Sequence, residues 1–270
     1  MLLTLFLALL LPKLSLQAAL TRFDTGNPAD VAPQLHGPIL HLAGGGGDVD
    51  AAYQEVIDRI RGCSDCATKI DIVVLRASGA DGYNDYLQAM RGVDSVTTFV
   101  ITDRSTSRRA DVVAAVRDAE YIFFAGGDQC NYVKYFMDTP IEAMVRAVYA
   151  RGGAVGGTRA GMGIMGKATY RACTDESAQS KLALTDPYNH EISFTTDFFD
   201  WRFMERVITD THFAQRDRMG RLMAFIARQL QELPVDSFLG IAANEKTAVL
   251  VDERGLATVV GQGPAYFVLG

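Results

Sequence analysis

Between residues 38 and 157 the chain switches repeatedly between two hydrophobic rhythms. Apolar runs at PILHLA (38–43), KIDIVVLRA (69–77), VTTFVIT (96–102) and YIFFA (121–125) predict strands. Between them, residues 49–61 place Val49, Tyr53, Val56, Ile57 and Ile60 on one helical face. Residues 83–91, 107–118 and 140–151 predict further helices, the second with Val112, Val113 and Val116 turned inward. GGAVGG (152–157) reads as a short strand. Strands that are apolar throughout are buried on both faces, so the pattern predicts an α/β fold: a mostly parallel sheet with helices on both sides. Ligands of such sheets collect at the carboxyl ends of the strands. Here those ends carry GGGG (44–47), Arg76-Ala77-Ser78-Gly79, GGDQ (126–129) and GTRAG (157–161), which should face one crevice.

The rhythm then fails. Residues 168–203 are polar and aperiodic, and read as a long excursion over that crevice. Inside it, the aromatic run from Phe194 to Trp201 fits either core or a cover on the cleft. Residues 208–212 read as a strand end, and 218–230 as a helix with Leu222, Phe225 and Ile226 apolar. Strands near 238–243, 247–252, 257–260 and 265–269 predict an antiparallel edge to the sheet. At the other end, the apolar run 2–11 is too short for a membrane span and is followed by Ala18 and Ala19. This predicts a signal peptide over residues 1–19, a secreted or periplasmic protein, and one domain over 20–270.

Composition narrows the function. A net charge of −6 gives a nucleic-acid partner no overall electrostatic support. Cys63 and Cys66 form a lone C-x-x-C without a second ligand pair, so no metal site and no cofactor are expected. In an exported protein that pair favours a local disulfide, while Cys130 and Cys173 either pair or stay free. GGGGDVD lacks the spacing of a phosphate loop, which weakens a nucleotide-binding alternative.

GTRAG fits the G-x-S-x-G elbow, with Arg159 where the nucleophile belongs. A strand–turn–helix of this kind lifts one side chain above the sheet and aims backbone N–H groups at a developing oxyanion. With GGGG-D after the first strand, F-A-G-G-D-Q (124–129) and D-T-H-F-A-Q-R-D-R-M-G-R-L (210–222), the chain resembles the cyanophycinase and dipeptidase E family of serine peptidases over about residues 38–267. The resemblance implies a flavodoxin-like sheet, related to class I glutamine amidotransferases. It also implies exopeptidase action beside aspartyl residues, with an acidic or aspartyl peptide of β-aspartyl-arginine type, or a cyanophycin-like polymer of aspartate with arginine side branches, as partner. A homodimer is left open.

Residue by residue, the resemblance assigns His212 as the histidine of the triad and Glu176 as its acid, with Asp175 in reserve. It gives Gly127 and Ala160 the oxyanion N–H groups. Gln129, Asp210, Arg216, Arg218 and Arg221 line or support the substrate cleft, where a guanidinium fork suits a carboxylate. His36, His41 and His190 are taken as structural or surface residues.

A guanidinium stays protonated and cannot attack a carbonyl. The expected function is therefore a peptidase scaffold with impaired catalysis. Two alternatives stand beside it. One is an active peptidase, if another hydroxyl such as Thr158, Ser177 or Ser180 serves, or if position 159 is naturally serine, whose codons can differ from arginine's by one base. The other is a nucleotide binder of Rossmann type.

Overall fold

The computed structural model describes residues 20–270, so the predicted leader over 1–19 lies outside the described residues. Five parallel strands form the centre of the main sheet: β2 (Ile39–Ala43), β3 (Ile70–Arg76), β4 (Val93–Val100), β5 (Tyr121–Phe124) and β6 (Ala154–Thr158). Antiparallel strands complete it: β1 (Thr21–Gly26) on one side, and β11 (Thr247–Val251) with β12 (Ala257–Gly261) on the other. The order is β1-β4-β3-β5-β6-β2-β11-β12.

The pleat explains the continuous apolar runs. Ile72 and Val74 of β3 point to the layer of α1 (Asp50–Arg61) and α2 (Asn84–Gln88). Val73 and Leu75 point the other way, to α3 (Ala110–Asp118), α4 (Gln129–Phe136) and α5 (Pro140–Ala150). Both faces are dry, so neither can tolerate a polar alternation.

The predicted C-terminal edge divides in two. β11 and β12 do extend the main sheet antiparallel, but β10 (Leu239–Ala243) and β13 (Ala265–Leu269) leave it. They join β9 (Val207–Asp210) in a second sheet of order β13-β10-β9, in which β9 and β10 are parallel. The tight turn at 244–246 makes the separation, with Lys246 at φ 56°. α8 (Met219–Glu232) covers the second sheet with Leu222, Phe225 and Ile226 and packs on α7 (Ser180–Thr185).

The aperiodic excursion holds α7 and a two-stranded sheet, β7 (Thr169–Tyr170) with β8 (Phe194–Thr195). Its later aromatics belong to the core: Phe198 stacks on Phe199 at 4.4 Å, Phe199 stacks on Trp201 at 4.8 Å, and all three are buried. Both cysteine pairs, Cys63–Cys66 and Cys130–Cys173, are disulfide-bonded.

Candidate active site

β6 ends in the elbow, and α6 (Ala160–Gly163) starts at once. Arg159 takes φ 55°, ψ −118° there, a conformation that costs a non-glycine residue about 1–3 kcal/mol. The flanking glycines are required by contact. A Cβ on Gly157 would lie 2.5 Å from the Gly161 carbonyl carbon, and one on Gly161 would lie 2.0 Å from Phe124 O. Strand, turn and helix therefore close only without side chains at these two places.

The strand ends meet as predicted at one crevice. Its larger part is a cavity of about 400 Å³ lined by Gly127, Gln129, Ala160, His212 and the three arginines 216, 218 and 221, among others. Its smaller part, about 220 Å³, lies over the GGGG loop, Arg76 and Tyr83. Arg159 borders both. Gly127 N–H and Ala160 N–H line or border the larger cavity and have no backbone acceptor among the described residues.

Parallel pairing of β9 and β10 sets Asp210 opposite Ala242, so the segments that follow both strands leave on the same side. One carries His212, the other Glu245. His212 Nδ1 lies 2.6 Å from Glu245 Oε1. A carboxylate only accepts, so this contact places the imidazole proton on Nδ1 and leaves Nε2 as a free lone pair. Burial depresses the His212 pKa against the opposing pull of the Glu245 hydrogen bond; Arg216 and Arg218 push the same way as burial. The ring is thus neutral at neutral pH. The hydrogen bond from His212 holds the Glu245 carboxyl below its ordinary pKa. Backbone bonds brace the pair: His212 N–H donates to Gly44 O at 2.9 Å, and Lys246 N–H to Gly45 O at 2.7 Å.

The geometry corrects the acid of the triad. Glu176 was expected to hold His212, but it lies on an exposed turn where Thr174 Oγ donates to its backbone carbonyl. The carboxylate on the imidazole is Glu245. Sequence reasoning passed over it because β9 and β10 pair across about thirty residues, and N-E-K between two apolar runs reads as an ordinary turn. Asp175 does line the larger cavity.

Arg159 and His212 are neighbours. A Cβ on Gly45 would stand 2.7 Å from Arg159 Cγ and 2.8 Å from His212 Nε2, while one on Gly126 would stand 2.7 Å from Arg159 Cδ. The arginine stem therefore runs through a slot that two glycines keep open.

The other arginines are organised by Asp210. Arg221 grips it with a fork, Nε to Oδ2 at 2.8 Å and Nη2 to Oδ1 at 2.5 Å. Arg221 Nη1 donates to Ser177 Oγ at 2.8 Å. Arg218 Nη1 reaches Asp210 Oδ1 at 3.3 Å and Thr211 O at 2.8 Å. One carboxylate thus serves two buried guanidinium groups. Burial, then the Arg221 charge, lowers the Arg218 pKa to about 10 against the opposing pull of Asp210. Arg216 is exposed on the cavity rim.

Gln129 closes the floor by donating to Tyr170 O, and Cys130–Cys173 ties the same two walls. Of the alternative hydroxyls, Ser177 accepts from Arg221 at the edge of the larger cavity, Ser180 donates to Asp217 O, and Thr158 is buried at the end of β6, where it lines the smaller cavity. His41 is buried in an aromatic cluster, 2.6 Å from Tyr121 Oη, and burial drives its pKa down to about 3.

No family model matches the chain. In architecture it is peptidase-E-like. A peptidase from an acI-B1 Actinobacterium superposes with a TM-score of 0.61 at 18% identity, covering 87% of this chain and 96% of that one. A putative peptidase E protein from Listeria monocytogenes EGD-e superposes with a TM-score of 0.50 at 12% identity, covering 85% and 100%. At such identities the likeness shows a shared fold.

In sequence, the chain is similar to cyanophycinases. The cyanophycinase of Nostoc sp. (strain PCC 7120 / SAG 25.82 / UTEX 2576) is 27% identical over 179 residues, 66% of this chain and 54% of that protein. That of Geminocystis herdmanii (strain PCC 6308) is 25% identical over 232 residues, 84% and 79%. The match spans about half the length of the Nostoc relative. Together these comparisons show a fold shared with two peptidases and a partial sequence similarity to cyanophycinases.

Proposed function

We propose that the chain binds acidic, aspartyl-type peptides in the larger cavity and, with Arg159 in place, does not hydrolyse them. One observation carries this reading: an arginine stands at the strained elbow position, beside a neutral His212 held by Glu245 and next to an under-neutralised arginine cluster. The cluster needs a ligand carboxylate. Two cations share Asp210, and a second carboxylate, from the ligand, would relieve the desolvated charge on Arg218. The Gly127 and Ala160 N–H groups would donate to the carbonyl oxygen of the peptide bond beside it. His212 is poised as a base, but no hydroxyl stands before it. Loss of a triad nucleophile leaves about 10³–10⁴-fold acceleration over water from the remaining groups.

The cyanophycinase relatives favour an aspartyl-arginine peptide as the ligand. Two disulfides suit an oxidising compartment, in keeping with export to the periplasm or beyond.

The test is calorimetric titration with β-aspartyl-arginine. Saturable binding is expected, and Arg218→Met should weaken it at least about tenfold, the loss of one charge-assisted carboxylate contact. Equal binding by wild type and Arg218→Met, or no binding at all, would overturn the assignment.

A further inference from the structure

The smaller cavity is unused by the reading above, yet Arg159 borders both it and the larger one. We infer that it is a second carboxylate subsite, so that the preferred ligand is a peptide carrying two acidic groups that straddle the Arg159 side chain. The inference rests on the proposed function, because the first acidic group occupies the larger cavity.

Two cations border this cavity. Arg76, at the end of β3, spends Nε on Ser78 O at 3.0 Å and rests over the Tyr83 ring, with its Cζ 5.9 Å from the centroid. Among the described residues its two terminal nitrogens make no hydrogen bond or ion pair. The Arg159 guanidinium makes none either, although its stem is fixed between Gly45 and Gly126. This contrasts with Arg218 and Arg221, which hold a carboxylate of the chain's own.

One acidic group, Asp48, faces the same space. It is engaged from behind: Tyr53 Oη donates to Asp48 Oδ1 at 3.1 Å and Tyr83 Oη to the same oxygen at 3.0 Å. Glu245 also stands behind Gly46, and its charge is felt by Arg159, but it is held by His212. The terminal nitrogens of Arg76 and Arg159 are thus the charged groups here that make no hydrogen bond within the described residues. A volume of about 220 Å³ is ample for a side chain of aspartyl size. The GGGG loop forms the wall with bare backbone, which lets an extended peptide pass close to it.

The arrangement gives the elbow arginine a positive role. Its charge faces the point where a peptide would cross from one cavity to the other. A carboxylate beyond that point would be met by Arg76 and Arg159 together, as the first is met by Arg216 and Arg218.

The experiment is calorimetric titration of the folded chain with three N-acetylated, C-terminally amidated dipeptides: Asp-Asp, Asp-Ala and Ala-Asp. We expect Asp-Asp to bind at least about tenfold tighter than the better of the other two, as one added charge-assisted contact should. In Arg76→Gln, and independently in Arg159→Met, which keeps an unbranched stem in the slot, that advantage should fall below about threefold. Single-acid binding should change by less than about twofold in Arg76→Gln. Equal affinity of Asp-Asp and a single-acid peptide, with the latter still sensitive to Arg218→Met, would overturn the second subsite and leave the proposed function standing. Absence of binding by all three dipeptides would remove both. Persistence of the full advantage in both variants would also overturn the subsite.

Discussion

Arg221 and Arg159 stand on the same cleft, and the chain treats their charges in opposite ways. Arg221 is buried, forked onto Asp210, and satisfied at Nη1 by Ser177. Its place was paid for by a dedicated counter-ion. Arg159 is exposed, sits on a strained backbone, and ends without a protein partner among the described residues. The first is part of the fold's wiring; the second is spent on the cleft. A ligand-facing role follows from the second pattern, because an exposed cation gains little from the protein and much from an anion that displaces water.

The contrast can be broken most severely at Asp210. Asp210→Ala strands two buried guanidinium groups, and we expect it to cost about 3–5 kcal/mol in urea unfolding. A loss under about 1 kcal/mol would mean that the arginines find solvent, and that the pair is less committed than its hydrogen bonds indicate.

Glu120 offers a second buried carboxyl, placed just before β5 at the sheet end far from the elbow. It accepts the Asp71 N–H at 2.8 Å but has only a distant cation, Arg151 at 3.8 Å. Burial raises its pKa from 4.5 to about 7. The folded state therefore favours its protonated form. That stability is fully present below pH 4.5 and lost as pH rises through about 7. Glu120→Gln should accordingly stabilise the chain at pH 8 by about 1–3 kcal/mol and change little at pH 4. A stabilisation that is the same at both pH values would contradict this account of Glu120.

The smallest effect belongs to Arg159 itself. Relief of its φ 55° backbone by Arg159→Gly should stabilise the protein by about 1 kcal/mol, set against glycine's greater freedom in the unfolded chain. Thermal unfolding of the two forms measures it. A clear destabilisation would show that the guanidinium has a protein partner after all.

The same contrast explains what the sequence could and could not show. The central strands were legible because both faces of β3 and β5 are dry, so every position but Asp71 and Arg76 near the ends of β3 is apolar. The elbow was legible because G-x-x-x-G is forced by contacts within one strand–turn–helix. β1 escaped notice because TRFDTG lies on an edge and alternates exposed residues. α4 was missed because QCNYVKYF is short and follows directly on the glycines of GGDQ.

Glu245 was hidden for a different reason. Its role depends on β9 pairing with β10, a contact that no local pattern encodes. Glu176, nearer in sequence to the elbow, was the wrong carboxylate for that reason. The three arginines were found from their motif, but the dependence of Arg218 and Arg221 on a single shared Asp210 required coordinates.

The central claim is that the site keeps a base and oxyanion donors and lacks only an attacking atom. The direct measurement is release of arginine from β-aspartyl-arginine by the unaltered chain, by Arg159→Ser, and by Arg159→Ser combined with Glu245→Gln. We expect no turnover above background from the unaltered chain, a rate at least about 10²–10³-fold higher from Arg159→Ser, and loss of most of that gain in the double variant. Turnover by the unaltered chain, or a folded Arg159→Ser that binds the peptide and leaves it intact, would contradict the claim.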